Sequence, residues 1–162
     1  MVRHGATVLS AEDRFAGATD VELSDEGREQ ARRLAVRLSG ESVVAIYASP
    51  LGRTVETAHI LAEPHKLDVQ TRDGLREISH GRWEGMTRRE VDELCADEAA
   101  SWAKDPYTVA PVDGASGLTE KAHALPGSRQ SVGPDPGATC EAVSPASDTG
   151  LSSRLFLRSV AH

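Results

Sequence analysis

The run Val43-Val44-Ala45-Ile46-Tyr47-Ala48 constrains the fold more than any other feature of the chain. It is short, continuous and rich in β-branched residues, which is the pattern of a strand buried on both faces in a parallel sheet. Ser49-Pro50 ends it. Helical patterns flank it. Over residues 23–38, Ala31, Leu34, Ala35 and Leu38 fall on one stripe. Ser24 is placed to cap that helix, Asp25 and Glu26 suit its positive end, and Gly40 follows its last turn. A second helix is expected over 51–62, with Val55, Ala58, Ile60 and Leu61 as apolar positions and Pro64 as the stop. A short strand is expected near residues 67–69. Thr87-Arg88-Arg89-Glu90 fits a capping box. The helix it opens carries Val91, Leu94, Cys95 and Trp102 on one face and ends at Pro106. Residues 118–132 read as a further helix interrupted by Pro126. This alternation predicts an α/β fold with a mainly parallel sheet.

The last part of the chain differs. Residues 126–153 are rich in Gly, Pro, Ser and Thr, and their composition predicts loop or disorder. Leu151, Leu155, Phe156, Leu157 and Val160 form a late apolar patch without a clear period. Aromatics make up only 4% of the 162 residues. The core is therefore expected to rest on Leu, Val, Ile and Ala. A net charge of −7 argues against general nucleic-acid binding, which needs a basic footprint. No apolar run is long enough for a membrane span, and the two cysteines, Cys95 and Cys140, make neither a disulfide framework nor a zinc site. A reducing cytoplasm is the expected compartment.

Three segments carry candidate chemistry. Arg3-His4-Gly5 combines a planar fork of donors matched to phosphate, an imidazole able to attack phosphorus, and a glycine that lets backbone approach an anion. Arg53 follows the best strand. It lies where ligands bind open α/β sheets and near a helix N-terminus that favours anions. In Leu75–Gly85, Glu77 and Glu84 are candidate proton donors to a leaving oxygen. Each segment alone reads more readily as a surface turn, a solvated helix arginine or an exposed glutamate.

Taken together, they resemble the histidine phosphatase superfamily, in the branch that holds phosphoglycerate mutases and related phosphatases. The likeness rests on Arg3-His4-Gly5-Ala6-Thr7 and on Phe15 to Ser24 with Gly27 and Ala31. It continues in Ser49-Pro50-Leu51-Gly52-Arg53 with Thr57-Ala58, and in Leu75-Arg76-Glu77 with Gly81, Trp83, Glu84 and Gly85. It covers about residues 1–139. It implies a three-layer α/β/α fold with a mainly parallel sheet. It also implies a phosphohistidine at His4, Arg3 and Arg53 clamping the phosphoryl group, and Glu77 as general acid and then base. Thr7, Ser10 and Phe15 would line the pocket, and His80 would either touch substrate or sit exposed. His59, His65, His123 and His162 read as ordinary residues. No cofactor or metal is implied, because the arginines supply the positive charge.

The sequence departs from the family at both ends. Only Met1 and Val2 precede the Arg-His-Gly turn, where the family has a full strand. The family's second histidine follows another central strand in a context like Val-Ser-His; here Val143-Ser144 is followed by Pro145. Ala115 stands where a glutamate is usual. The likeness stops abruptly, so 1–139 is expected to be the domain and 140–162 a divergent, disordered or frameshifted tail. The implied activity is hydrolysis of small phosphorylated metabolites, favoured over mutase chemistry by the short chain and impaired if the second histidine is lost. The alternatives are a non-catalytic phosphate-ligand binder and a degenerate fragment. A homodimer fits either working form.

Overall fold

The computed structural model describes residues 2–116 and the strand Thr139–Ser144. Its elements are β1 (Val2–Arg3), α1 (Asp25–Leu38), β2 (Val43–Ala48), α2 (Gly52–Ala62), β3 (Val69–Thr71), α3 (Arg88–Leu94), α4 (Ala96–Lys104) and β4 (Thr139–Ser144). The four strands form one sheet in the order β1-β4-β2-β3, with every pairing parallel. The class is α/β, as the alternation predicts.

The local reading holds where the signals are local. Ser24 caps α1 by accepting from the Gly27 N–H, and Thr87 and Glu90 form the full capping box at α3. α1 and α2 pack together on one face of the sheet. Ala35, Ile46, Ala48, Ala58, Leu61 and Ala62 form the core between them.

Several expectations need correction. β2 is not buried equally on both faces: Ile46 and Ala48 are sealed beneath the helices, Ala45 and Tyr47 are half-buried, and Val44 is exposed. The Tyr47 ring lies under the Arg72 guanidinium, 4.9 Å from its centroid. The helix after the capping box is two helices, broken at Cys95, whose φ and ψ of −131° and 34° leave the helical region. The break redirects the chain. Val91, Cys95 and Trp102 stay buried while Leu94 turns outward, 74% exposed.

Composition predicted loop over 126–153, yet Thr139–Ser144 is a strand seated between β1 and β2. Its pairing runs Val43 to Thr139 and Ala48 to Val143 on one side and Val2 to Val143 on the other. Ladder hydrogen bonds satisfy backbone whatever the side chains are, so a polar composition does not forbid a strand. β1 is correspondingly an edge strand of the described sheet, not a central one. The helix expected over 118–132, the patch over 151–160, His123, His162 and Pro145 lie outside the described residues.

A second core sits apart from the sheet. Trp83, Val91, Cys95 and Trp102 are buried together, with Phe15, Met86, Ala99 and Val109 packed on them. The expectation of a purely aliphatic interior therefore applies only to the helix–sheet layer.

Candidate active site

All three chemical segments leave the sheet at strand carboxyl ends. His4 follows β1, Arg53 follows β2 after the Ser49-Pro50 turn, and Glu77 follows β3. Parallel strands place their carboxyl ends on one side, so the loops converge there. They line one cavity of about 290 Å³ whose walls include Arg3, His4, Thr7, Ser10, Phe15, Arg53, Glu77 and His80. Of the chemical candidates singled out from the sequence, all but Glu84 are thus brought together.

His4 is half-buried, and its Nδ1 lies 2.7 Å from the Gly5 carbonyl oxygen. A carbonyl only accepts, so Nδ1 carries the proton and the neutral ring presents a lone pair at Nε2. Burial pushes the imidazole down to about 4. The Gly5 hydrogen bond opposes this, and the nearby Arg53 and Arg3 charges reinforce it. His4 is therefore neutral at physiological pH.

Gly5 is required for a reason other than anion contact. A Cβ there would collide with the backbone of Gly27, and one on Gly27 would collide with Ala6. Ser24 ties the same place together. Its N–H and hydroxyl both donate to the Ala6 carbonyl, at 2.9 and 3.1 Å. The start of α1 is thereby locked against the turn that carries His4. Thr57 Oγ1, which accepts from the Gly5 N–H at 3.2 Å, holds that turn from α2.

Arg53 is 1% exposed, which rules out a solvated helix arginine. Its Nη1 donates to the Thr19 carbonyl at 2.8 Å and its Nη2 to the Gly17 carbonyl at 2.7 Å. Among the described residues, no carboxylate comes within salt-bridge distance of it, and Nε has no hydrogen-bond partner. Burial lowers its pKa, and the more distant Glu77, Asp20 and Glu84 charges oppose the shift. A guanidinium stays protonated in proteins, so this is a buried cation that no carboxylate of the described residues touches directly. The α2 N-terminus does not supply an anion site of its own, because the Gly52 N–H is already taken by the Asp20 carboxylate at 2.7 Å.

Thr7 and Ser10 brace each other. Thr7 N–H donates to Ser10 Oγ at 2.8 Å, and Ser10 N–H to Thr7 Oγ1 at 3.1 Å. They shape the wall as a rigid turn. Phe15 stacks edge-on against His80, with ring centroids 5.1 Å apart, and His80 in turn meets Trp102. His80 is 6% exposed, so the exposed polar role is excluded.

The two glutamates separate. Glu77 is half-buried on the cavity wall. Glu84 is not on that wall. Burial pushes its carboxyl up, but hydrogen bonds from Thr19 Oγ1, the Ala18 and His80 N–H groups and Ser79 Oγ outweigh this and hold it below the usual carboxylate range. A carboxylate so well held is a poor proton donor. Asp13, Arg14 and Arg88 also line the cavity and were not foreseen. Arg14 and Arg88 reach it through a bridge between Arg14 and Thr87 that joins segments 73 residues apart. No spacing in the sequence signals it.

With the site assembled, comparison with known proteins fits the same picture. Residues 1–128 match the model of the histidine phosphatase superfamily (branch 1), and the chain belongs to that family. It is 39% identical over 109 residues to phosphoserine phosphatase 1 of Hydrogenobacter thermophilus, covering 67% of this chain and 52% of that protein. It is 36% identical over 126 residues to glucosyl-3-phosphoglycerate phosphatase of Mycolicibacterium vanbaalenii, covering 78% and 56%. The chain thus spans about half the length of the curated relatives it matches. Among solved structures, mycobacterial glucosyl-3-phosphoglycerate phosphatase complexed with VO3 superposes with a TM-score of 0.82 at 31% identity, covering 92% of this chain and 74% of that one. Bacillus stearothermophilus YhfR gives 0.80 at 32%, covering 88% and 70%.

Proposed function

We propose that the chain is a phosphomonoesterase that acts on small phosphorylated metabolites through a phosphohistidine at His4. One observation carries the reading. A neutral imidazole with its Nδ1 proton committed to Gly5 shares a cavity with a buried Arg53, which makes no salt bridge among the described residues, and with Arg3 and Glu77. A dianionic phosphoryl group supplies the charge that Arg53 lacks and offers phosphorus to Nε2. In the proposed mechanism Nε2 attacks phosphorus, the P–O bond to the alcohol breaks, and Glu77 gives its proton to the leaving oxygen. Glu77 then takes a proton from water, which attacks the phosphohistidine and releases phosphate. Arg3 and Arg53 balance the charge spread over the phosphoryl oxygens throughout. Thr7, Ser10, Phe15 and His80 give the cavity its shape.

The names of the relatives support small phosphorylated substrates. Cytoplasmic location, expected from the two cysteines, belongs to the same proposal. So does a homodimer, which light scattering on the purified protein tests.

Hydrolysis of an aryl phosphate by wild type, reduced by at least about 1000-fold in His4→Ala, is the expected result. Equal rates from both proteins reject the proposal. A second reading, a phosphate-ligand binder without turnover, is favoured by one feature. Pro145, which has no side-chain donor, follows β4 in the chain. Thermal stabilisation by inorganic phosphate without hydrolysis selects that reading.

A further inference from the structure

We propose that Glu84 is a positioning residue for Arg53, acting through the turn Gly17-Ala18-Thr19. The inference rests on reading the cavity as a phosphoryl site. Glu84 neither lines that cavity nor bonds to Arg53, so any influence on the guanidinium is indirect.

The connection runs through three consecutive residues. The two outer ones, Gly17 and Thr19, hold Arg53 by their carbonyl oxygens at 2.7 and 2.8 Å. The same turn is gripped from its other side by Glu84. Oε1 accepts from the Ala18 N–H at 3.0 Å, and Oε2 accepts from the Thr19 hydroxyl. Oε1 also accepts from the His80 N–H at 3.0 Å and from Ser79 Oγ at 3.3 Å. One carboxylate therefore staples the 17–19 turn to the loop that carries Glu77, and it does so with four donors. Charge-assisted bonds of this kind are stronger than neutral ones.

Gly17 makes the grip possible. Its φ is +50°, and a Cβ there would collide with Glu84 Oε1. The bare backbone lets the carboxylate come close, and the left-handed conformation turns the Gly17 carbonyl toward Arg53. Without the carboxylate, nothing among the described residues bonds the Ala18 N–H or the Thr19 hydroxyl. The two carbonyls would then wander, and Arg53 with them. An arginine already fixed at two points loses little freedom when an anion arrives, which is the benefit of preorganisation.

The test is a double-mutant cycle read by calorimetry with inorganic phosphate as the probe. Wild type, Glu84→Gln, Arg53→Gln and the double variant are compared, with Glu84→Ala added if it folds. Glu84→Gln is expected to weaken phosphate binding about tenfold in the wild-type background and less than about twofold when Arg53 is already gone. Equal losses in both backgrounds overturn the proposal, because a merely structural role would act with or without Arg53.

A second readout needs no bound phosphate. The His4 ring is titrated by NMR in wild type and Glu84→Gln. Removing an anion by itself makes an imidazolium less favourable, so a direct effect lowers the His4 pKa. Displacing the Arg53 cation does the opposite. A rise on the order of half a unit is expected; a fall or no change overturns the relay. If wild type binds no phosphate, the proposed function fails, and the His4 titration still decides the relay.

Discussion

The helix–sheet layer and the aromatic cluster are built on different rules, and the cavity lies where they meet. The layer is aliphatic and small. Its buried members are Ala35, Ile46, Ala48, Ala58, Leu61 and Ala62, all placed by the periods of α1, β2 and α2. It contributes His4 and Arg53. The cluster is aromatic and owes little to period. Trp83 comes from a 3-10 turn at Gly81–Trp83, Trp102 from α4, and Phe15 and His80 from loops. It contributes Phe15 and His80 to the cavity wall. The Trp83 and Trp102 rings meet edge to face with centroids 5.5 Å apart, and Trp83 also meets Phe15 at 5.7 Å. A few large side chains thus do for the irregular region what many small ones do for the regular layer.

The aromatic cluster is most sensitive at Trp83, which is 1% exposed. Trp83→Ala is expected to cost about 3–5 kcal/mol in urea unfolding. It should also weaken phosphate binding in the protein that stays folded, because Phe15 leans on Trp83 and forms part of the cavity wall. Leu61→Ala, in the aliphatic core, is expected to cost about 2–4 kcal/mol and to leave phosphate affinity unchanged. If both variants lose affinity equally, the two regions are not separable.

The pH dependence sharpens the contrast. The His4 pKa lies at about 4 in the folded protein against an ordinary 6.5. As pH falls, the unfolded chain takes up the proton first. Stability is therefore whole above pH 6.5 and declines toward pH 4, by about 3 kcal/mol at most. His4→Gln is expected to lack this part of the acid sensitivity, as denaturant unfolding at pH 7 and 4.5 checks. By the same burial, kcat/KM should show no limb from His4 near pH 6.5. The smallest effect is Thr87→Ala, which removes the capping box at α3 and is expected to cost about 1 kcal/mol with little change at the cavity. A larger loss of phosphate affinity would show that α3 positions Arg88 directly.

The features legible from the residues alone were local. Val43–Ala48 reads as a strand, Ser24 and Thr87 read as caps, and α1 and α2 read from their stripes, because each signal lies within one turn or one pleat of its cause. The candidate site residues were legible through the likeness of their motifs, which points to residues without fixing what surrounds them. Long-range packing sealed Arg53 from water, brought Asp20 to the α2 N-terminus, and set Glu84 on the 17–19 turn while Glu77 faces the cavity. It also decided that Cys95 breaks a helix and that polar Thr139–Ser144 enters the sheet. Burial and partnership are set by residues far away in the chain. A charge or a backbone segment carries no local mark of what will pack against it.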